Sequence, residues 1–238
     1  HCPNCSHDME STDAAETASD ERSSETPSIV GDSRSEALDR VTDVESVLVL
    51  GPSSHSISDT ICSRFLMDEA GPRDVLFVTF DESPSDRIEV CHRADGWSGG
   101  KIGVVEVGRG NRNATTSEVT AGPEGGSITV RHVSKPGDLS KLGIVISQLI
   151  TEFDKTPRQT VLCFHTLSAL HNRVGTKTLF RFLNTLQGRL RSADVIGHYH
   201  MDPELHDELV VETLGWRQFG GGDTPDLFDS ALDRRTLI

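Results

Sequence analysis

From residue 46 onward, short apolar runs alternate with longer amphipathic segments. Five of these runs are continuously apolar, at 46–50, 74–80, 102–107, 160–164 and 193–199. Strands buried on both faces of a parallel sheet have this pattern, whereas half-exposed strands alternate between apolar and polar residues. A further strand is predicted at 128–133.

The segments between the strands carry apolar residues at the spacing of one helix face. These stripes are Ile57, Ile61 and Phe65, then Leu139, Leu142, Val145, Leu149 and Phe153, and then Leu179, Phe182, Leu186 and Leu190. Strands that alternate with helices predict an α/β fold of three layers, with a mostly parallel sheet flanked by helices.

Two segments near the ends of this pattern are interpreted separately. Asp202 and Pro203 have the residue types of an N-cap and a first helical position, so a last helix with Leu205, Leu209 and Leu214 is predicted. The glycine-rich segment 93–127 is predicted to form long loops around the third strand.

The composition and charge of the chain argue against several classes of function. The chain has 238 residues and a net charge of −14, which argues against broad nucleic-acid binding. No apolar stretch approaches the roughly 20 residues of a membrane-spanning helix, so no membrane role is expected. Five cysteines without a secretory leader indicate a reducing, cytoplasmic setting. The excess of arginine (18) over lysine (5) is typical of a salt-adapted, haloarchaeal proteome.

Four regions are predicted along the chain. Residues 1–7 contain Cys2 and Cys5 in a C-x-x-C pattern, which is half of a zinc ribbon. We expect a truncated remnant there, which binds zinc only if the chain has lost a preceding cysteine pair. Residues 8–40 are predicted to be a disordered acidic linker, 41–219 the folded domain, and 220–238 a flexible tail.

The turns after the strands are the candidate sites, because open parallel sheets bind ligands beyond the carboxyl ends of their strands. The first turn resembles the phosphate-binding pattern G-x-x-x-x-G-K-[ST]. Gly51 and Ser58 fit this pattern, but Ser56 replaces the second glycine and Ile57 replaces the lysine. Ser56 with Asp59 also fits a capping box, which would simply start a helix.

Two later turns also carry polar residues. Asp81 and Glu82 follow the second strand, where paired carboxylates can act as a general base or form a solvated turn. His165 and Thr166 follow the fourth strand, where a nucleotide hydrolase would hold Mg²⁺ with an aspartate. A neutral imidazole is a poor ligand for this hard cation.

Histidines cluster at the end of the fifth strand. His198 and His200 share one face of an extended chain, and His206 follows closely. The pattern leaves two interpretations open. One is a site for zinc or another transition metal at these three residues, with His165 nearby. The other is a polar strand end whose imidazoles cap helices or face water.

In the order and spacing of these turns, the chain resembles the KaiC-like branch of the RecA-type ATPases, especially haloarchaeal KaiC-like proteins of unknown function. The matching residues are Phe80-Asp81-Glu82-Ser83-Pro84 and the run VLCFHTLSAL at 161–170. The resemblance implies a RecA-like fold over about residues 41–215. It also implies degenerate nucleotide-binding positions at Gly51, Ser54, His55, Ser56, Ser58, His165 and Thr166.

The same resemblance gives Asp81 and Glu82 the role of catalytic carboxylates and Ser58 the role of the hydroxyl linked to Mg²⁺. Ile57 and His165 cannot supply the phosphate lysine and the metal aspartate. Our leading hypothesis is therefore a non-hydrolysing, degenerate ATPase with a regulatory or signalling scaffold role, acting through a protein partner or further copies of itself. Two alternatives remain: a weak or atypical ATPase that binds ATP and Mg²⁺ and uses Asp81 and Glu82, and a metal-binding protein built on the histidines.

Overall fold

The computed structural model describes residues 46–52, 55–68, 70–80, 82–108, 118–121 and 126–215. The predicted ribbon remnant with Cys2 and Cys5, the linker at 8–40 and the tail at 220–238 lie outside these residues. Ser54 and Asp81 also lie outside them.

The described residues form short strands joined mostly by helices. In chain order the elements are β1 (Ser46–Leu50), α1 (His55–Phe65), β2 (Met67–Asp68), β3 (Gly71–Pro72), β4 (Asp74–Phe80), α2 (Pro84–Arg93), β5 (Lys101–Val107), β6 (Glu118–Ala121), β7 (Ser127–Val133), α3 (Leu139–Phe153), β8 (Thr160–Phe164), α4 (Leu167–Val174), α5 (Thr176–Ser192), β9 (Val195–Met201), a 3-10 helix (Pro203–Leu205) and α6 (Glu208–Leu214).

Seven strands form one sheet in the order β1-β9-β8-β4-β5-β7-β6. The six strands from β1 to β7 in this order are parallel, and β6 is an antiparallel edge strand. β2 and β3 form a separate antiparallel pair. The predicted α/β fold with a mostly parallel sheet is confirmed.

Helices cover both faces of this sheet, which explains why the strands are continuously apolar. In β4, Val75 and Phe77 pack with α1 and α2 on one face. Leu76, Val78 and Phe80 pack on the other face, in the core formed by α3, α4, α5 and α6. Every residue of β4 and β8 is buried, and the result is the predicted three-layer arrangement.

Three of the predicted strands have the bounds that the structure shows. The runs 46–50, 74–80 and 160–164 coincide with β1, β4 and β8. The last strand lies two residues later than predicted, because His200 and Met201 continue it as buried residues. The prediction of loops through 93–127 is also wrong in part, because β6 pairs with β7 there.

The predicted last helix is a second correction. Asp202 caps it as expected, with its carboxylate accepting a hydrogen bond from the amide of Glu204. The element is a 3-10 turn that ends at Leu205, and α6 starts separately at Glu208. Leu205 is 57% exposed and Leu209 is 72% exposed, so Leu214 alone of the three predicted core positions is buried.

None of the helices in the described part of the chain combines the length and the apolar character needed to cross a bilayer.

The close approach of α3 to the sheet at Gly103 gives a stability prediction. A Cβ atom there would lie 2.9 Å from Cδ1 of Leu76 and 3.1 Å from Cζ of Phe153, both in the core. We expect Gly103→Ala to lower the free energy of unfolding by about 1–3 kcal/mol, because the packed interior must move.

Gly188 on α5 is the matched control, since a Cβ atom there meets nothing within 4 Å. Gly188→Ala should leave stability unchanged or raise it by up to about 1 kcal/mol. Urea unfolding of the two variants measures the difference. Equal stability of Gly103→Ala and wild type would contradict the packing described for α3.

Candidate functional site

Two neighbouring strands in the middle of the sheet send the chain in opposite directions. After β4 the chain continues to β5 on one side, and after β8 it continues to β9 on the other. Such a switch point leaves a crevice at the carboxyl ends of the strands, where ligands usually bind. Glu82 follows β4 and His165 follows β8, and Nδ1 of His165 lies 3.2 Å from Oε1 of Glu82. The structure thus brings together two residues that the sequence predicted as candidate site residues.

A buried arginine faces the same carboxylate. Nε of Arg87 lies 3.2 Å from Oε2 of Glu82, and its Nη1 lies 2.8 Å from Oδ1 of Asp59. Thr79 also donates a hydrogen bond to Oε2 of Glu82, at 3.2 Å. Burial opposes the charge on Arg87, but Glu82 and Asp59 outweigh this effect and raise the pKa of Arg87. The guanidinium stays charged, and both carboxylates are held in ion pairs.

The start of α2 determines where this arginine points. Ser83 is the N-cap and accepts a hydrogen bond from the amide of Ser85, and Pro84 occupies the first helical position. Arg87 therefore lies one turn into the helix, on the side that packs against the sheet. Asp59 belongs to α1, so one guanidinium connects two helices and the end of β4.

The sheet face under α1 changes from apolar to polar toward this edge. Parallel pairing places Val161 beside Ile196 and Cys163 beside His198. Because side chains alternate along a strand, the next residues on this face are His165 and His200. Their rings are 5.6 Å apart, centroid to centroid. The polar residues at the carboxyl ends of β8 and β9 therefore follow from the alternation of side chains along these strands.

His198 and His200 form a buried cluster with two cysteines. The cluster consists of Cys62, Cys163, His198 and His200, whose potential ligand atoms all lie within 4.8 Å of one another. Sγ of Cys62 lies 2.9 Å from Sγ of Cys163, 3.3 Å from Nε2 of His198 and 3.5 Å from Nε2 of His200. The ring of His198 stacks on Phe65 of α1, with 4.4 Å between centroids.

Contacts within the cluster shift the pKa values of its members. Burial opposes ionisation of Cys62, but the hydrogen bond from Cys163 and the nearby His200 and His198 lower the pKa of Cys62 well below its usual value. Burial and the hydrogen bond to Cys62 raise the pKa of Cys163. Burial also lowers the pKa of His198. Of the two thiols, Cys62 is therefore the one whose pKa is lowered, and it lies beside an imidazole whose pKa burial also lowers.

The phosphate-loop positions are only partly described. The amide of Gly51 donates a hydrogen bond to the carbonyl of Met201 at 3.1 Å, which ties the end of β1 to β9. Ser58 is buried on α1. The helix already begins at His55, so Ser56 lies inside it and Asp59 pairs with Arg87, which does not match a capping box. Thr166 precedes α4, and its buried Oγ1 has no hydrogen-bond partner among the described residues.

His206 lies apart from the other two predicted metal ligands. Its ring packs edge-on against His171 of α4, 4.6 Å away, and is not one of the four clustered groups. Burial and His171 lower the pKa of His206, despite Asp202 and Asp207. The H-x-H spacing therefore named two members of the cluster, and the structure places His206 apart from them.

A groove of about 980 Å³ lies on the other side of the sheet, between α3 and α5. Its lining is largely apolar and includes Ile144, which is 59% exposed, and Phe182. The groove is separate from the histidines and carboxylates of the carboxyl edge.

Sequence reasoning missed Arg87, Asp59, Cys62 and Cys163. One signal was available: Cys163 lies two residues before His165 in a strand, and therefore on the same face. Cys62 and Arg87 come from helices, and nothing in their local pattern separates them from core or surface positions. Their role depends on contacts between residues as far as 138 positions apart, such as Cys62 and His200.

Together these features define an α/β protein of three layers, consistent with a RecA-like arrangement, whose strand ends hold an ion-pair network and a buried Cys-His cluster. The chain belongs to a family of unknown function (DUF7504), whose family model matches residues 44–216. That match spans the entire described sheet. The comparison with curated proteins finds no match.

The buried arginine yields a prediction about stability. Arg87→Met keeps much of the side chain's volume but leaves Asp59 and Glu82 without their shared cation. We expect a loss of about 3 kcal/mol in the free energy of unfolding at pH 7, because two partly buried carboxylates lose their partner.

Arg93→Met is the control on the same helix. Arg93 contacts the other oxygen of Asp59 at 3.4 Å but is 60% exposed, so its loss should cost less than about 1 kcal/mol. Urea unfolding of both variants measures the contrast. Similar small losses in both would show that the Arg87 network does not hold α1 and α2 together.

Proposed function

We propose that this chain is a non-hydrolysing, degenerate relative of the KaiC-like RecA-type ATPases, with a regulatory or signalling scaffold role through protein contacts. The observation that carries the proposal is the state of Glu82. Both of its oxygens are already engaged by groups of the chain itself.

The resemblance would have Glu82 activate a water molecule. A general base needs an oxygen free to accept the proton of that water. Here Oε2 faces Arg87 and Thr79, and Oε1 faces His165. A nucleophilic water would have to displace a contact of a partly buried ion-pair network, which is costly. Glu82 is thus better suited to hold the edge together than to act as a base.

The position of His165 supports the same interpretation. A magnesium-dependent hydrolase needs an oxygen ligand after this strand, since Mg²⁺ prefers carboxylates and water to imidazole. His165 is buried and points an imidazole nitrogen at Glu82 instead of offering an oxygen to a metal. The residue therefore takes part in the internal network.

The charge balance of the edge also disfavours triphosphate binding. Phosphoryl transfer relies on cations aimed at the transferred group. Arg87 is the cation that contacts Glu82 within the described residues, and it already faces two carboxylates. The sequence has Ile57 where the phosphate lysine would stand. The regulatory role then follows from the resemblance, with a protein partner or a second copy as the expected contact.

Equilibrium dialysis of the full chain with labelled ATP and Mg²⁺ at high salt tests this proposal. We expect a dissociation constant weaker than about 1 mM, and no phosphate release above the rate without protein. The reason is the missing cationic grip together with the occupied carboxylate.

Glu82→Gln and Glu89→Gln form the control pair for any residual hydrolysis. Glu89 lies exposed on α2, and its carboxylate is not among the groups that pair with Arg87 or Asp59. Micromolar ATP binding, with hydrolysis that disappears in Glu82→Gln and persists in Glu89→Gln, would contradict the proposal in favour of an atypical ATPase. Hydrolysis that is equal in both variants does not depend on Glu82. Its loss in Asp81→Asn would also contradict the proposal, whereas its persistence there identifies a contaminating enzyme.

A further inference from the structure

We propose that Cys62, Cys163, His198 and His200 form a closed, four-coordinate site for a transition metal ion, with Zn²⁺ as the expected occupant. The site is distinct from the nucleotide positions and does not depend on the proposed loss of hydrolysis. It differs from the histidine site expected from the sequence, because two cysteines take part and His206 does not.

The ligand set is the first argument. Zinc in proteins prefers four nitrogen and sulfur ligands in a tetrahedron, and two cysteines with two histidines are among its common sets. The four side chains here come from α1, β8 and β9, and all are buried. No carboxylate belongs to the group, so hard ions such as Mg²⁺ and Ca²⁺ are poor candidates.

The distances are the second argument. Zn–S bonds of about 2.3 Å and Zn–N bonds of about 2.0–2.1 Å place sulfur and nitrogen ligands about 3.5 Å apart in a tetrahedron. The two sulfur–nitrogen distances of Cys62 are 3.3 and 3.5 Å. The two sulfurs, at 2.9 Å, would have to separate by about 0.9 Å to reach the spacing of a zinc site. A change of one χ1 angle supplies such a shift without movement of the backbone.

Charge is the third argument. An isolated charge at this depth would be expensive. When Zn²⁺ binds, the two thiols release their protons to solvent, and the two imidazoles bind in their neutral form. The two negative sulfurs then balance the two positive charges of the ion. The bound cluster is neutral overall, which suits a position between a helix and a buried sheet face.

The role that follows is structural. Four protein ligands leave no open position for water or substrate, which distinguishes structural from catalytic zinc sites. The ion would join α1, which follows the phosphate-loop position, to β8 and β9. His200 would also connect it to His165, and through His165 to Glu82. Metal binding would thus stabilise the carboxyl edge through ligands on the sheet face that α1 covers.

A disulfide between Cys62 and Cys163 is the rival explanation for the close thiols. Its formation would remove two electrons and two protons to an external oxidant. It would not require the two imidazoles, whose Nε2 atoms both point at Cys62. The convergence of four groups therefore favours the metal, and the disulfide becomes an outcome of the test.

The test uses the full chain with Cys2→Ser and Cys5→Ser, so that the N-terminal cysteines cannot contribute metal. The protein is produced with zinc, dialysed against a weak chelator under reducing conditions, and analysed for metal content. We expect about one zinc per chain. Cobalt substitution should give the intense visible bands of tetrahedral Co²⁺ and a thiolate charge-transfer band. Removal of the metal by a strong chelator should lower Tm by several degrees.

Matched variants identify the ligands. In the same background, Cys163→Ser and His198→Gln should lose the bound zinc and the tetrahedral cobalt spectrum. Cys91→Ser and His206→Gln should keep both, because Cys91 is a buried thiol of the same core and His206 lies outside the cluster. If a ligand variant does not fold, the cobalt spectrum of the parent protein identifies the thiolate ligands. A charge-transfer band in that protein requires Cys62, Cys91 or Cys163. Its persistence in Cys91→Ser assigns it to Cys62 and Cys163.

Three outcomes would overturn the proposal. The first is less than about a tenth of an equivalent of metal, with cobalt giving only the weak bands of an octahedral complex. The second is a cobalt charge-transfer band that disappears in Cys91→Ser. The third is protection of Cys62 and Cys163 from alkylation until a reductant is added, in protein that has met no chelator and carries no zinc, which would establish the disulfide instead.

Discussion

The guanidinium of Arg87 lies buried where α1, α2 and the end of β4 meet, and it faces Asp59 and Glu82 at ion-pair distance. A buried cation of this kind is tolerated only while its partners stay in place, because an uncompensated buried charge costs several kcal/mol. The position of Glu82 is therefore fixed by the structure of the protein itself. His165 completes the contact from the neighbouring strand. The carboxyl edge, where a RecA-type ATPase would hold its substrate, is held together by internal contacts.

The fold was predictable because burial on both faces leaves a simple pattern. In β4 and β8 every residue is buried, so the apolar run and the strand coincide. The pattern is less clear where a buried strand carries polar residues, or where a helix is interrupted. β9 continues through His200 and Met201, where a buried histidine looks like a polar strand end. Leu205 and Leu209 have helical spacing, yet the helix is interrupted between them and both side chains face solvent.

The candidate site was predictable only where strand geometry decides it. The turns after β4 and β8 identified Glu82 and His165, and the alternation of β9 correctly placed His198 and His200 on one face. Cys62 and Arg87 escaped notice for a physical reason. A single thiol or arginine on a helix carries no periodic signal, and its meaning arises from the packing of that helix on a distant strand. Contacts such as that between Cys62 and Cys163 exist only once the sheet has brought β8 beneath α1.

The two polar systems of this edge have different chemistry. The outer one, around Glu82, is made of oxygen and nitrogen groups that neutralise one another. The inner one, around Cys62, offers soft ligands in a buried position. His165 and His200 lie between them, 5.6 Å apart by ring centroid. The two systems are thus adjacent, in a protein whose sheet and helices otherwise follow ordinary packing rules.

A crystal structure of the chain grown with Mg²⁺ and a non-hydrolysable ATP analogue would show whether a nucleotide reaches the carboxyl edge of the sheet. We expect that Glu82 keeps its contacts with Arg87 and His165, and that no triphosphate density lies beside residues 51–58. A magnesium ion bound at Glu82, with phosphates along the start of α1 and Arg87 turned toward them, would contradict it.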